Sequence, residues 1–164
     1  MTNTTPQYLG DTARNLLQLR GVTIKDIADI VYFLQKDYHD HLTLEICLEN
    51  VERVLEKREV QNAIITGIQL DVLAEKDILD EPLLSILKKD EGLYGIDEIV
   101  ALAIVNIYGS IGFTNFGYVD KLKVGILEKL NDKSTGQCHT FLDDIVGAIA
   151  AAAASRLAHR AAHH

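Results

Sequence analysis

Two similar apolar segments of this chain each begin with a pair of adjacent carboxylates. Asp97 and Glu98 stand at the start of IDEIVALAI, and Asp143 and Asp144 stand at the start of LDDIVGAIA. One carboxylate in the first turn of a helix complements the helix macrodipole, at roughly 0.3–1 kcal/mol. Two adjacent side chains point about 100° apart, so at least one of each pair must face neighbouring protein. Capping therefore explains one carboxylate per helix and leaves the second unexplained.

These carboxylates would converge if both helices began at the same end of the core. Crowded and unneutralised, they would repel one another by several kcal/mol at the dielectric of a protein. A hard divalent cation with oxygen ligands, Mg²⁺ first, removes that repulsion. We therefore expect Asp97, Glu98, Asp143 and Asp144 to be both metal ligands and catalytic carboxylates, with simple helix capping as the alternative.

The segment between the two acidic pairs, from Tyr108 to Gly125, is rich in glycine and predicts a loop. Four of its polar or charged side chains are candidates for binding substrate: Asn115, Asp120, Lys121 and Lys123. Glycine permits close approach of the backbone, and lysine supplies positive charge, so the segment suits an anionic group held against a metal. An ordinary helix connection with a solvated, charged end is the alternative.

Most of the chain has helical periodicity, and no strand-like alternation with turn signals competes with it. Thr23, with Asp26 three residues later, predicts the capped start of an amphipathic helix. The apolar pattern from Thr43 to about Glu75 indicates either one long helix or two helices that break near EKRE. Pro82 begins a short helix that the glycines of EGLYG end.

The segment Ile145–Ala154 has no polar side chain on any face. This pattern predicts a helix surrounded by other helices, and its alanines and Gly147 permit close packing on all sides. A chain of 164 residues is long enough for one core and too short for two independent ones. We therefore expect a single all-α domain over residues 1–164, a bundle of about six helices with a buried alanine-rich central helix.

Composition argues against one class of partner and indicates a compartment. Acidic residues number 24 against 16 lysines and arginines, for a net charge of −8, whereas binding to a phosphate backbone needs clustered positive charge. Nucleic acid is therefore not expected as a partner. Cys47 and Cys138 lie far apart without the spacing of a zinc site or a disulfide framework, which favours the reducing cytoplasm.

One stretch is long enough to raise a membrane interpretation. The 21 residues from Ile99 to Val119 carry no charge, which is about the length that a bilayer needs. Only the first seven are densely apolar, and polar residues and glycines fill the remainder. We therefore expect a buried helix that runs into a glycine-rich loop, and no segment that spans a membrane.

The order of these motifs resembles the phosphatidylglycerophosphatase A family. The matching residues are Asp97, Glu98, Asp120, Lys123, Asp143 and Asp144. The resemblance covers roughly residues 94–156 and is to the soluble, all-helical branch of the family, which the region LTLEICLENVERVLEKREVQNAIITGIQLD also resembles. It implies a Mg²⁺-dependent phosphatase that removes the terminal phosphate of phosphatidylglycerophosphate during phospholipid synthesis.

The chain departs from the membrane-embedded members of that family in two respects. It has neither their glycine-rich G-T-x-G-S segment nor their spanning helices, and Val124 stands where a proline commonly follows the matching lysine. The chain therefore keeps the acidic motifs of the family but lacks the spanning helices that would bring it to a lipid. The resemblance therefore supports phosphatase chemistry better than it supports the lipid substrate.

The leading interpretation gives each motif a role in phosphate hydrolysis. Lys123, with Lys121, would bind the phosphate, and Asp120 would orient the lysine or join the metal shell. The substrate would be a phosphorylated small molecule or a lipid headgroup. Contact with a membrane surface would rest on Phe113 to Tyr118 and the two lysines.

Two other functions stay open on the sequence alone. One is a soluble phosphohydrolase that acts on a nucleotide or sugar phosphate. The other is a non-catalytic helical protein that forms homo-oligomers through its alanine-rich faces. Two further pairs are weaker candidates for metal ligands, because such pairs are more typical of solvated surfaces: His39 with His41, and Glu45 with Glu49.

Overall fold

Nine α-helices make up most of the chain that this computed structural model describes, which is residues 4–162. Residues 1–3 and 163–164, at the two ends of the predicted domain, lie outside the described residues. Within 4–162 there is no strand, so the all-α class is confirmed, and the buried apolar side chains form one cluster. The helices are α1 Pro6–Leu19, α2 Ile24–Gln35, α3 Leu44–Leu55, α4 Arg58–Glu75, α5 Leu83–Lys89, α6 Ile96–Val105, α7 Ser110–Leu122, α8 Ile126–Leu130 and α9 Leu142–Ala161.

The described chain contains more helices than the six or so expected, partly because one predicted pattern is divided. The pattern that runs on from Thr43 forms two helices, since Lys57 adopts an extended backbone between Leu55 and Arg58. The 5 residues of α8 are too few to produce a periodic apolar pattern in the sequence.

The prediction of a glycine-rich loop after α6 was wrong, because most of that segment forms α7. Gly109, with φ +85°, precedes the helix. Gly112 lies inside the helix, where a Cβ atom would stand 3.0 Å from Cγ1 of Val105. Glycine at this position therefore permits close packing and does not mark a turn. Contacts with α9 stabilise α7 despite its two glycines.

Helix α9 packs against six of the other helices: α2, α3, α4, α6, α7 and α8. Every residue from Ile145 to Ser155 is buried. Helix α4 packs very closely against α9 at Gly67, since a Cβ atom on Gly67 would lie 2.3 Å from Cδ1 of Ile145. Small residues at these contacts let the helix axes come together.

Contacts at both ends of α6 and α9 show that these two helices run in the same direction. Near their first residues, the carboxyl of Asp97 contacts that of Asp144. Just beyond the end of α6, and about two thirds of the way along α9, Oγ of Ser155 donates to the carbonyl oxygen of Tyr108 at 2.8 Å. Helix α7 runs back between these ends, so that Lys123 at its end reaches Asp143. The fold thus brings two helix starts and one helix end together.

The uncharged stretch from Ile99 to Val119 is shared between two helices. It runs through most of α6, the 3₁₀ turn Asn106–Tyr108 and most of α7. Within residues 4–162, no helix combines the length and the apolar character needed to cross a bilayer.

Candidate active site

Four carboxylates from three helices meet at one end of the bundle. They are contributed by the first turn of α6, the last turn of α7 and the first turn of α9: Asp97, Asp120, Asp143 and Asp144. One oxygen from each of Asp120, Asp143 and Asp144 lies within 4.8 Å of the other two. Oxygen ligands of one Mg²⁺ or Ca²⁺ ion lie at most roughly 4–5 Å apart. The three oxygens therefore have about the spacing that a divalent cation requires.

Asp144 is the most strongly perturbed of these carboxyls. Burial, a hydrogen bond with Asp97, and the charges of Asp97, Asp143 and Asp120 raise the pKa of Asp144 to about 9. A hydrogen bond between two carboxyls requires a proton on one of them. In the absence of a cation, Asp97 and Asp144 therefore share a proton at neutral pH.

Lys123 offsets part of the negative charge in the other half of the cluster. Its Nζ donates to Oδ1 of Asp120 at 2.7 Å and to Oδ2 of Asp143 at 2.6 Å. Burial alone would lower the pKa of the ammonium, but these two hydrogen bonds outweigh it, so the pKa of Lys123 is raised. The lysine therefore stays charged in the site and pairs with both aspartates.

The backbone of Lys123 is in the left-handed region, with φ +50° and ψ +51°. Glycine is the usual residue at this position after a helix, and any other residue costs of order 1–3 kcal/mol. A lysine here turns the chain sharply after α7 and places its ammonium between the two aspartates. The ion pairs offset the strained backbone.

One oxygen of the cluster has no partner in the described chain. Oδ1 of Asp143 is buried and accepts no hydrogen bond within residues 4–162. Burial raises the pKa of Asp143, although the hydrogen bond and charge of Lys123 act in the opposite direction. A buried acceptor without a partner costs about 1–3 kcal/mol. The carboxylate set and this oxygen therefore fit a cation with oxygen ligands.

Asp71 of α4 holds the start of α9 in place. Its buried carboxyl accepts hydrogen bonds from the backbone N–H of Phe141 at 3.0 Å and of Leu142 at 2.9 Å. Burial raises the pKa of Asp71 to about 7, while these N–H donors and Arg20 act to lower it. Asp71 thereby fixes the turn of helix that carries Asp143 and Asp144.

We did not predict Asp71 from the sequence, although one signal for it exists. It continues the buried stripe of α4 that includes Ile64, Gly67 and Ile68. A charged residue on a buried helical stripe needs a partner. Its partners are backbone groups 70 residues further along the chain, and no sequence spacing identifies them.

An ion pair supports the segment that leads into α9. Arg20 and Glu75 form a short contact, and Nη2 of Arg20 also donates to the carbonyl oxygen of Cys138 at 2.8 Å. Oε1 of Glu75 accepts from the N–H of Cys138 at 2.6 Å. The pair thus binds both backbone groups of Cys138, and it lowers the pKa of Glu75.

Three residues that we expected in the site lie outside the carboxylate cluster. Glu98 and Lys121 are exposed, and each follows a cluster residue by one position. One position on a helix is a rotation of about 100°, which turns these side chains away. Asn115 is half-buried, and its Nδ2 is without a hydrogen-bond partner in the described part of the chain. It precedes Asp120 by five residues in α7, roughly 140° around the helix.

The weaker candidate pairs do not contribute to this cluster either. His39, His41 and Glu49 line a separate groove of about 570 Å³ together with Arg160. The ring of His39 contacts Oε1 of Gln35 at 3.2 Å. Glu45 lies in the first turn of α3.

A cavity of about 210 Å³ with both polar and apolar side chains in its lining adjoins the cluster at Asp143. It is several times larger than the roughly 30 Å³ that a water molecule occupies in the liquid. Lys133, Gln137 and His139 are among the side chains that line it, and Lys133 pairs with Asp90 at 2.7 Å. The cavity gives a small polar group room beside the carboxylates.

Comparison with known proteins adds a family and close structural relatives. The family model described as phosphatidylglycerophosphatase A matches residues 13–159. YutG of Bacillus subtilis strain 168, named as uncharacterized, is 68% identical over 151 residues, covering 92% of this chain and 91% of YutG. A solved structure of a protein of unknown function from Bacillus stearothermophilus is 68% identical, with a TM-score of 0.92 and 98% of each chain covered. The low temperature requirement C protein of Listeria monocytogenes is 65% identical, with a TM-score of 0.92, covering 95% of this chain and 98% of that one.

Proposed function

The chain belongs to the phosphatidylglycerophosphatase A family, and on that premise we propose that it is a Mg²⁺-dependent phosphomonoester hydrolase. The substrate that we propose is phosphatidylglycerophosphate, which would lose its terminal phosphate. The observation that supports the chemistry most directly is the convergence of three carboxylate oxygens within 4.8 Å, beside an unpaired buried oxygen of Asp143.

The proposed ligands of the cation are Asp120, Asp143 and Asp144, with Asp97 beside Asp144. When bound, Mg²⁺ would neutralise the crowded carboxylates, orient and activate a water molecule, and offset charge that develops on the phosphoryl oxygens. Glu98, which we expected as a ligand, is exposed, and we do not include it in the proposed set.

Lys123 would hold the phosphoryl group of the substrate. The ammonium is charged, positioned by two aspartates and half-buried, so its electrostatic effect on an anion is less screened than at the surface. Because its two partners fix its position, little reorganisation is needed when substrate arrives.

Asp97 and Asp144 would hold and transfer a proton in the site. The proton that they share leaves when both carboxylates become ionised, and an ionised carboxylate in this position is a base within the site. We assign to Asp97 the role of accepting a proton from the attacking water, since Asp97 contacts Asp144 but is not one of the three proposed ligands. No covalent intermediate is required.

The cavity beside Asp143 favours a second candidate substrate. A soluble sugar phosphate or nucleotide could place its polar part among Lys133, Gln137 and His139. The family description favours the lipid, and the same carboxylates would act on either ester.

Phosphate release from several esters tests the proposal. We would compare phosphatidylglycerophosphate in mixed micelles with glycerol 3-phosphate and nucleotide monophosphates, in millimolar Mg²⁺, using Asp144→Asn as the blank. We expect Asp144-dependent release from the lipid. Turnover of a soluble ester alone would reject the lipid while keeping the metal chemistry, and no Asp144-dependent release from any ester would favour a non-catalytic protein.

A further inference from the structure

A cleft lined mainly by positively charged side chains lies beside the last turns of α9. Its volume is about 360 Å³, and we call it the arginine cleft. The end of α3, the residue before α4 and the end of α9 line it through five residues: Arg53, Glu56, Lys57, Arg156 and Arg160. Asp144 and Arg160 lie near opposite ends of the 20 residues of α9, roughly 24 Å apart at a rise of 1.5 Å per residue. The arginine cleft is therefore separate from the carboxylate cluster.

The charge of this cleft is opposite to that of the whole chain. Four of its five lining residues are arginine or lysine, although the net charge of the chain is −8. Glu56 lies 3.3 Å from Arg53, and Glu49 lies 3.9 Å from Arg160. These two carboxylates offset two of the four positive charges. An excess of two positive charges therefore remains in the cleft.

Arg156 has no ion pair with a carboxylate in the part of the chain that the structure describes. It is partly buried, and its Nη1 donates to a neutral acceptor, Oδ1 of Asn50, at 2.6 Å. Burial and the positive charges of Arg160 and Arg53 lower the pKa of Arg156, although Glu49 acts in the opposite direction. A partly buried cation that is crowded by like charges is stabilised when an anion binds beside it. Arg156 therefore favours an anion in the cleft.

The helix macrodipole explains only part of this positive charge. Arg53 and Arg160 lie in the last turns of α3 and α9, where positive charge is favourable. Lys57, by contrast, is the N-cap residue of α4, where the macrodipole disfavours positive charge. Arg58 and Glu59, the next two residues, carry opposite charges and leave the balance unchanged. Because Lys57 also forms no ion pair within residues 4–162, its charge is left without a structural partner.

The number and kind of these cations indicate the ligand. A phosphate group carries a charge of about −1.5 to −2 near pH 7, which matches the excess of two positive charges. Guanidinium groups are planar and present paired N–H donors that fit phosphate oxygens. The cleft is several times larger than the roughly 30 Å³ that a water molecule occupies in the liquid. One phosphate group therefore has room among the arginines.

We propose that the arginine cleft binds a phosphate dianion, as the free ion or as the phosphate group of a small monoester. Arg156 would donate to the phosphate oxygens, since Asn50 occupies only one of the five N–H donors of its guanidinium. Lys57 would supply the second compensating charge. The cleft contains no residue of the carboxylate cluster, so the inference goes beyond the proposed function and does not depend on it. Solvated surface cations that bind no particular anion are the alternative.

Two charge-matched variants allow a controlled test. Lys57→Gln/Arg156→Gln removes the two cations that form no ion pair. The control Lys76→Gln/Lys89→Gln removes two exposed lysines at the ends of α4 and α5, so both proteins have the same net charge. Lys57 is exposed, so the single variant Lys57→Gln provides a second test if removal of Arg156 disturbs the fold. Circular dichroism would verify the fold of each variant.

An NMR titration of nitrogen-15-labelled protein with inorganic phosphate measures binding, in EDTA and at constant ionic strength. We expect the backbone amides of residues 53–58 and 156–160 to shift with saturation in the wild type and the control. The dissociation constant should rise at least tenfold in Lys57→Gln/Arg156→Gln, and by a smaller factor in Lys57→Gln, because charged hydrogen bonds to phosphate are lost. A parallel titration with glycerol 3-phosphate distinguishes a monoester from the free ion by which of them binds more tightly.

Equal dissociation constants for Lys57→Gln/Arg156→Gln and the control would overturn the inference. So would shifts that chloride reproduces, or shifts confined to the amides around Lys123 and Asp143. The proposed function stands or fails separately, because the titration contains no Mg²⁺ and measures no turnover. A protein that hydrolyses no ester can still bind phosphate in the arginine cleft, and a protein that binds none there can still hydrolyse its substrate.

Discussion

At the scale of single residues, two different groups each offset part of the negative charge of the crowded carboxylates. Lys123 compensates Asp120 and Asp143 through direct ion pairs. A shared proton compensates Asp97 and Asp144. A cation held by Asp120, Asp143 and Asp144 would replace the proton as the compensating charge, and Lys123 would keep its positive charge for an anionic substrate.

The proton shared by Asp97 and Asp144 should make the free energy of unfolding depend on pH. The pKa of Asp144 is about 9 in the folded protein and ordinarily near 3.8, so between these values the folded state binds more protons than the unfolded state. The free energy of unfolding should therefore fall as pH rises from about 4 to about 9. Urea unfolding at several pH values, with EDTA present, would measure this slope.

The variant Asp144→Asn isolates the contribution of this pair. Asp71 and Asp143 also have raised pKa values and add to the same slope, so only the difference between wild type and variant is informative. We expect the slope to become shallower in Asp144→Asn. An unchanged slope would show that Asp144 is ionised in the metal-free protein at neutral pH.

At the scale of helices, the site depends on how α4 positions the start of α9. Two backbone N–H groups at that start are paired with the Asp71 carboxyl, and the four N-terminal N–H groups of a helix otherwise lack partners. This contact therefore sets the orientation of Asp143 and Asp144, which directly follow Leu142.

The variant Asp71→Ala tests the link between these helices. Two buried N–H groups would lose their acceptor, so we expect the free energy of unfolding to fall by about 1–3 kcal/mol or more, with activity reduced in the molecules that stay folded. Chemical denaturation would measure the change. Asp29→Ala, which removes an exposed ion pair with Lys25, should cost less than about 1 kcal/mol, and equal losses in the two variants would contradict the account.

Two helical glycines predict changes of opposite sign. Gly67→Ala would place a Cβ atom 2.3 Å from Cδ1 of Ile145 and force α4 from α9, at a cost of roughly 1–3 kcal/mol. Gly117→Ala meets no atom within 4 Å and should stabilise α7 by about 0.5–1 kcal/mol. Thermal melting of both variants would measure these changes. A stabilised Gly67→Ala would show that the helices are not in close contact.

These helices also show which structural features can be predicted from the sequence. The capping box at the start of α2 is confirmed, because it depends on residues only three apart: Oγ1 of Thr23 accepts from the N–H of Asp26 at 3.0 Å. Helix α7 was missed because its glycines signal a turn locally, whereas contacts with α9 decide its conformation. Interactions that join distant parts of the chain leave no local pattern.

At the scale of the whole molecule, the sequence feature that best indicated the site was the pair of carboxylates that begins each of two similar apolar segments, Asp97 with Glu98 and Asp143 with Asp144. Three of the four carboxylates in that pattern, Asp97, Asp143 and Asp144, lie together, because parallel packing of α6 and α9 brings two helix starts to one end, whereas Glu98 is exposed. Lys123 was predicted to bind substrate, and Asp120 was predicted to bind substrate, to orient the lysine or to join the metal shell. Their contacts with Asp143 depend on where α7 ends, which the expected loop did not specify.

Binding of Mg²⁺ should stabilise the whole fold. A ligand that binds only the folded state raises the melting temperature, and here the cation would also relieve repulsion among buried carboxylates. We expect millimolar Mg²⁺ to raise the melting temperature of the wild type and to have little effect on Asp143→Asn/Asp144→Asn. An equal response in both proteins would indicate that the acidic residues serve capping alone.

The dependence of phosphate release on Mg²⁺ tests the central claim most directly. Initial rates on phosphatidylglycerophosphate in mixed micelles would be measured over a range of Mg²⁺ concentrations for the wild type, Asp144→Asn, and Glu128→Gln as an exposed acidic control in α8. We predict saturable activation by Mg²⁺ in the wild type and the control, and a rate at least about a hundredfold lower in Asp144→Asn, since loss of a group that stabilises the transition state has effects of this order. Rates that do not depend on Mg²⁺, or that are equal in Asp144→Asn and the wild type, would contradict a metal-dependent phosphatase centred on these carboxylates.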